Sequence, residues 1–122
     1  ISGAAYTSAA NITINAIKEV SISGDISGAG QLTKLGSDSL LFTGTYSSTG
    51  SLNVTSGTIK LGATNVINDS ADIYFNGGNL STGFNDIIRR MYLTDNSSLT
   101  LGQTEHTVRF VKMDSLLNKK TL

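Results

Sequence analysis

The sequence predicts an all-β protein, a parallel β-helix of about five turns with roughly 20 residues and three faces in each turn. Short triplets of alternating apolar and polar residues recur along its 122 residues at a nearly constant interval. Corners rich in Gly, Ser, Asn and Asp separate these triplets, as in solenoids built from stacked turns. Composition agrees, because hydrophobic residues make up 39% of the chain and charged residues only 15%, unlike a helical bundle.

The clearest repeat unit lies between Ser51 and Gly62. The triplets Leu52-Asn53-Val54 and Ile59-Lys60-Leu61 each place two apolar side chains on one face of a strand and a polar one on the other. Gly57 lies between the triplets, and glycine adopts positive φ without a Cβ clash. We therefore expect two short strands that meet at a sharp bend.

Three rows of apolar residues define the predicted turns and their faces. The first row is Ile12, Leu32, Leu52, Ile73 and Leu99; the second is Val20, Leu40, Ile59, Leu80 and Val108; the third and weaker row is Ile26, Tyr46, Ile67 and Ile87. In the first row the spacings along the chain are 20, 20, 21 and 26; in the second they are 20, 19, 21 and 28; in the third they are 20, 21 and 20. Three rows with a shared period indicate three faces in each turn.

Taken in order, residues 1–10 are small and polar and are predicted to form a partial first turn. Clear turns begin at Asn11, and residues 81–96 are interpreted as the longest loop. The last clear turn is predicted to carry the triplets that begin at Leu99 and Val108. The residues expected to form one continuous core are Leu52, Val54, Ile59, Leu61, Ile73, Phe75, Leu99 and Leu101.

The apolar repeat is already established at Ile12 and is still incomplete at Leu122. We therefore expect residues 1–122 to be a single β-helix segment, a fragment of a longer solenoid, whose partners include neighbouring turns of the same parent chain. The apolar pair Leu116-Leu117 is expected to present an exposed edge for such pairing. Lysines 119 and 120 are expected to form a solvated end.

Charge and cysteine content exclude several classes of function. Nine acidic and nine basic residues give a formal net charge of zero, which argues against a nucleic-acid partner. The absence of cysteine excludes disulfides and thiolate metal sites. No run of about 18 apolar residues is present, so we expect no direct membrane insertion.

The pattern between residues 24 and 102 resembles autotransporter-associated β-strand repeats of secreted bacterial passenger domains. Three groups of residues carry the resemblance: Gly30, Leu32, Lys34, Gly36, Leu40, Phe42 and Gly44; then Tyr46, Gly50, Val54, Gly57, Ile59, Leu61 and Gly62; then Phe75-Asn76-Gly77-Gly78-Asn79-Leu80 with Gly83-Phe84-Asn85. Phe42 stands where Leu is commoner in the family, and Arg89-Arg90 is unusual for it. The resemblance implies a right-handed β-helical stem, which agrees with the usual hand of parallel crossovers.

The same resemblance implies an exported chain, extracellular or held at the bacterial outer membrane through another part of the parent protein. The expected function is a structural or adhesive passenger segment, a rigid stalk or adhesin body without catalysis. Host or matrix glycans and other cells are expected partners. The alternative is a carbohydrate-binding or polysaccharide-modifying β-helix.

Carboxylates are the first candidates for catalysis, because glycoside cleavage uses two acids roughly 5–10 Å apart. Outward positions of the two main rows contain none: Thr13, Thr33, Asn53, Tyr74 and Thr100 in the first, Ser21, Leu41, Lys60, Ser81 and Arg109 in the second. Asp25 and Asp86 align on the third face but three turns apart, about 14 Å. Asp69 and Asp72 flank a corner, where Asp commonly caps a turn. We therefore expect no catalytic residue.

The remaining motifs also predict no cofactor or metal site. His106 is the only histidine, and its neighbour Glu105 points to the opposite face if both lie in a strand, so a surface loop is expected. Gly77-Gly78 lacks the rest of a calcium-binding nonapeptide, and residues 28–30 precede no helix that could cradle phosphate. An outward aromatic ladder beside acids would favour the carbohydrate alternative. Tyr74 is the only clear outward aromatic of the two main rows, although a sugar site could lie within Ser81–Asn96.

Overall fold

The computed structural model describes residues 6–8, 11–102 and 104–115, with the backbone alone at 6–8 and 113–115. Of the partial first turn predicted at residues 1–10, only residues 6–8 are described. The rest of it, the apolar pair Leu116-Leu117 and the lysines at 119–120 lie outside the described residues. Thirteen strands and no helix occupy the described part of the chain. They are β1 (Tyr6–Ser8), β2 (Ile12–Asn15), β3 (Val20–Ile22), β4 (Ile26–Gly28), β5 (Leu32–Leu35), β6 (Ser39–Phe42), β7 (Leu52–Val54), β8 (Thr58–Leu61), β9 (Asp72–Asn76), β10 (Asn79–Thr82), β11 (Asp86–Asp95), β12 (Ser98–Leu101) and β13 (Val108–Ser115).

These strands stack into three sheets in which every pairing is parallel. One sheet has six strands in the order β13-β11-β9-β7-β5-β2, and another has five in the order β12-β10-β8-β6-β3. The third pairs β1 with β4, and single bridges extend it from Ile26 to Tyr46 and from Tyr46 to Ile67. Neighbours in a sheet come from successive turns, so the chain is a β-solenoid of about five turns, as the sequence predicts. The right-handed sense stays a prediction.

The core lies between the three sheets and is built from the inward side chains of each strand. Six of the eight predicted core residues are buried in one apolar cluster: Leu52, Val54, Ile59, Leu61, Ile73 and Phe75. Leu32, Leu52 and Ile73 stack in register along the six-stranded sheet. Tyr46 fills the third face, and its hydroxyl donates to the Gly50 carbonyl at 3.0 Å. The apolar side chains of the alternating triplets therefore point into the core, as predicted.

Lys34 occupies an inward position of this core although it is charged. The row runs Ile14, Lys34, Val54 and Phe75, and the Lys34 side chain is fully buried. Its Nζ donates to the carbonyls of Leu35 at 2.6 Å, Gly36 at 3.0 Å and Ser56 at 3.2 Å. Removal from water lowers the pKa of the Lys34 ammonium, and nearby Asp38 opposes that shift. Lys34 thus fastens the corners of two successive turns.

The bend predicted at Gly57 is present. Gly57 has φ +67°, in the left-handed region that favours glycine. A Cβ at this position would overlap the carbonyl oxygens of Gly36 and Asp38. Two strands of one turn therefore meet at a corner that excludes any side chain.

The predicted register is wrong beyond Leu80. Ile73 has Met91 as its partner in the next turn, and Leu99 pairs with Leu80 in the five-stranded sheet. Val108 begins β13 beside Asp86. The two longest predicted spacings, from Ile73 to Leu99 and from Leu80 to Val108, therefore joined positions on different faces. In the structure both rows keep a spacing close to that of the earlier turns.

The cause of this error is β11, which fills most of the predicted loop at 81–96. β11 is 10 residues long and passes from the third face to the first without a corner. Its centre, Ile88-Arg89-Arg90-Met91, has no Gly, Asn or Asp that would mark a bend. The predicted register assumed a corner within residues 81–96, where the structure has a continuous strand.

The last two predicted core residues, Leu99 and Leu101, are not fully buried. Leu101 is 59% exposed, and Leu99 is only partly buried against the core. Both lie in β12, which has β10 on one side and no strand on the other among the described residues. On the third face Ile87 is half-buried, whereas Asp86 and Ile88 are buried.

Candidate functional site

Asp72 is the first residue of β9, directly after the corner that it was predicted to flank, and Arg89 holds its carboxylate. Arg89 Nε and Nη2 donate to the two carboxylate oxygens of Asp72 at 2.7 and 2.6 Å. Asn68, not Asp69, caps the adjacent turn, because its Oδ1 accepts from the Ser70 amide at 3.0 Å. Arg89, from the Arg89-Arg90 pair that is unusual for the family, thus clamps β11 to the neighbouring β9 and occupies the Asp72 carboxylate.

Asp25 and Asp86 do not form an acid pair. Asp25 is exposed, and its Oδ1 accepts from the Thr45 amide of the next turn at 2.9 Å. Asp86 is only 1% exposed, and its two oxygens accept from the amides of Ile67 at 3.1 Å and Ile87 at 2.9 Å. Both carboxylates therefore accept hydrogen bonds from backbone amides, Asp25 on the outside of the solenoid and Asp86 inside it.

Burial raises the pKa of the Asp86 carboxyl to about 6, although the two amides that it accepts from act in the opposite direction. The folded chain thus binds this proton more tightly than the unfolded chain, whose ordinary value is 3.8. The stabilisation is complete below the unfolded value and is lost as pH rises through the folded one.

We expect the free energy of unfolding to fall between about pH 4 and about pH 7 by a few kcal/mol at most, since one pKa unit corresponds to about 1.4 kcal/mol. Urea unfolding across this range measures the slope, and Asp86→Asn should flatten it. Any cost from the mismatched Asn amide does not depend on pH, so the slope is the readout. Equal slopes in the two proteins would show that Asp86 is not the titrating group.

An outward aromatic pair stands on the six-stranded sheet. Tyr74 and Tyr92 are register partners whose rings stack with centroids 4.5 Å apart and planes at 11°. Arg90 Nη1 donates to the Tyr92 hydroxyl at 2.8 Å, and the Arg90 guanidinium lies 5.6 Å from the Tyr92 ring centroid. The sequence missed Tyr92 because Thr100 was placed in this row. Because the rings stack on each other, the pair braces two turns.

A cleft of about 400 Å³ opens where three successive turns leave the five-stranded sheet. We call it the corner cleft; its lining is Thr64, Gly83, Phe84, Asn85, Thr104, Glu105 and His106. Phe84 is 43% exposed and is the one aromatic carbocycle among these residues. Gly83, Phe84 and Asn85 fall within Ser81–Asn96, the segment that the sequence left open as the place for a sugar site.

Hydrogen bonds between turns hold the corner cleft in shape. The Thr107 amide donates to Asn85 Oδ1 at 2.7 Å, and Thr104 Oγ1 donates to the Gly83 carbonyl at 2.8 Å. His106 lies between β12 and β13, and its Nδ1 is 2.6 Å from the Thr104 carbonyl. A carbonyl only accepts, so Nδ1 carries a proton. Nε2 is shielded and has no hydrogen-bond partner among the described residues.

No group of three His, Asp or Glu side chains in the described ranges is placed to hold a metal ion. No helix there is long and apolar enough to cross a membrane. Comparison of the chain with known protein families, characterised proteins and solved structures finds no match.

Proposed function

We propose that this chain is a rigid β-solenoid segment of a secreted or surface-displayed bacterial protein, a stalk or adhesin body without catalysis. The observation that carries the proposal is the six-stranded parallel sheet, to which each turn contributes one strand. Such an array resists bending and adds about 4.8 Å of length per turn. Its length therefore follows directly from the number of turns.

Outward side chains support this role because they join one turn to the next. Asn53 Nδ2 donates to Thr33 Oγ1 at 3.3 Å, and the Tyr74 and Tyr92 rings stack. On another face Lys60 Nζ lies 3.2 Å from Glu19 Oε2, and this pair reaches across the intervening turn that contains β6. The carboxylates of Asp25, Asp72 and Asp86 all engage the protein itself. The walls are thus braced, as a spacer requires.

Location and partners follow from the resemblance to passenger repeats. An exported solenoid would stack on neighbouring turns of its parent chain and meet host or matrix glycans or other cells. The carbohydrate alternative draws no support from the tyrosine pair, because those rings cover each other. It retains one observation, the exposed Phe84 ring in the corner cleft.

The spacer role predicts that whole turns can be added without loss of the fold. Leu32 and Leu52 are register partners in successive turns, so extra copies of residues 32–51 inserted after Ser51 keep every face in place. Two such copies should lengthen the particle by about 10 Å. The melting temperature should not fall, since each turn adds its own interface. Small-angle X-ray scattering and thermal melting measure both quantities.

The matched control is a single extra copy of residues 32–41, inserted after residue 41, which shifts the following chain by half a turn and should lower the melting temperature. Full-turn copies that unfold, or that leave the length unchanged, would contradict the spacer role. A separate experiment tests the proposed location at the cell surface. Antibodies against this chain should label intact cells that make the parent protein, before permeabilisation.

A further inference from the structure

We propose that the corner cleft binds one ring of a neutral saccharide, with Phe84 as its apolar platform. This function goes beyond the spacer role and does not depend on it. The volume of about 400 Å³ falls in the range of roughly 300–1,000 Å³ that ligand sites occupy. The cleft also joins corners of three turns, so its walls are fixed by the fold and not by one flexible loop.

Phe84 supplies the apolar contact. Its ring is 43% exposed, whereas Phe42 and Phe75 are buried in the core. The backbone beneath it is fixed, because Thr82 Oγ1 donates to the Phe84 carbonyl at 3.0 Å. An aromatic ring held at the wall of a cleft offers a flat surface to the C–H face of a pyranose.

Polar groups around Phe84 suit hydroxyls. Asn85 Oδ1 accepts from the Thr107 amide, so its Nδ2 group is left to donate. Thr64 offers a hydroxyl that both donates and accepts, and the Glu105 carboxylate accepts. A ligand whose every hydroxyl both donates and accepts matches this mixture.

Charge selects a neutral ring over an acidic one. Among the described residues that line the cleft none is Lys or Arg, so nothing there would pair with a phosphate or a sugar carboxylate. Glu105 would repel such groups. A single carboxylate at an exposed position also offers little to a cation, because exposed ion pairs are weak. With anions and cations excluded, the cleft suits a neutral ligand whose hydroxyls are recognised around an aromatic ring.

The test is an NMR titration of the isotope-labelled chain with the methyl glycosides of glucose, galactose and mannose, and with N-acetylglucosamine. We expect shift changes at residues 83–85 and 104–106 for at least one ring, with a Kd of roughly 1–10 mM. Phe84→Ala should weaken binding by about tenfold or more. Its melting should be unchanged, since the ring lies outside the core.

Two further variants separate binding from folding. Asn85→Asp keeps the oxygen that accepts from the Thr107 amide but removes the donors, and should weaken binding about threefold to tenfold. Ile17→Ala removes another exposed apolar side chain, 79% exposed and outside the cleft, and should change nothing. Absence of any shift change at roughly 50 mM of every neutral ring, or tighter binding of glucuronate or glucosamine, would overturn the proposal.

Discussion

Leu52→Asp is expected to unfold the chain or to cost it several kcal/mol of stability, a large share of the about 5–15 kcal/mol that holds a typical domain together. Leu52 is 2% exposed and lies between Leu32 and Ile73 in the middle of the six-stranded sheet. A carboxylate there would be flanked by two apolar side chains. It would have to stay buried without a partner or expel itself by opening two turns. Circular dichroism and urea unfolding measure the loss.

The matched control is Asn53→Asp, one position further along the same strand. Asn53 points outward and is half-buried, with Thr33 and Tyr74 as register partners. Its substitution removes one amide–hydroxyl bond and should cost about 1 kcal/mol. A Leu52→Asp protein that is soluble, β-rich and melts like the parent chain would refute the assignment of Leu52 to the core.

Alternation and a fixed period were enough to predict the core from Ile12 to Leu80. Each strand there is short, each has one buried face, and a slip of a single position would turn every apolar side chain outward. Leu52, Val54, Ile59 and Leu61 accordingly lie where the sequence places them. Gly57 was predictable for a related reason, because the corner admits no Cβ.

The register after Leu80 could not be predicted in the same way. β11 continues from one face to the next without a corner, and it has charged residues at its centre. Arg89 and Arg90 break the apolar alternation, and Asp86 is a carboxylic acid in a buried position. Lys34 shows the same limit, since its three carbonyl partners come from two turns. Such contacts depend on which turn lies above which, and periodicity alone does not encode them.

The corner cleft was visible only in part. Ser81–Asn96 was singled out as a segment that could hold a sugar site, but Thr64 was given no role, and Glu105 and His106 were treated separately as a surface loop. Thr64, Phe84 and Glu105 follow one another along the chain at the period of the turns. Corners can therefore be aligned in the same manner as strands. Tyr74 and Tyr92 were missed as a pair because residues 81–96 were interpreted as a loop and Thr100 was placed in the row instead of Tyr92.

The central claim is that residues 86–95 form one continuous strand that crosses from the third face of the solenoid to the first, which makes Tyr92 and not Thr100 the neighbour of Tyr74. Paired cysteines test it most directly, because the chain has no cysteine of its own. Register partners in adjacent parallel strands lie about 4.8 Å apart, within the Cα separation of roughly 4.4–6.8 Å that a disulfide spans. Asn53→Cys with Tyr74→Cys is the positive control, since those residues are partners in both registers.

Mild oxidation followed by peptide mass spectrometry should therefore find a near-complete disulfide in the protein with Tyr74→Cys and Tyr92→Cys. The protein with Tyr74→Cys and Thr100→Cys should remain reduced, because Thr100 lies in β12 beside Ser81, on another face. A disulfide between positions 74 and 100, with none between 74 and 92, would contradict the account and restore residues 81–96 to a loop.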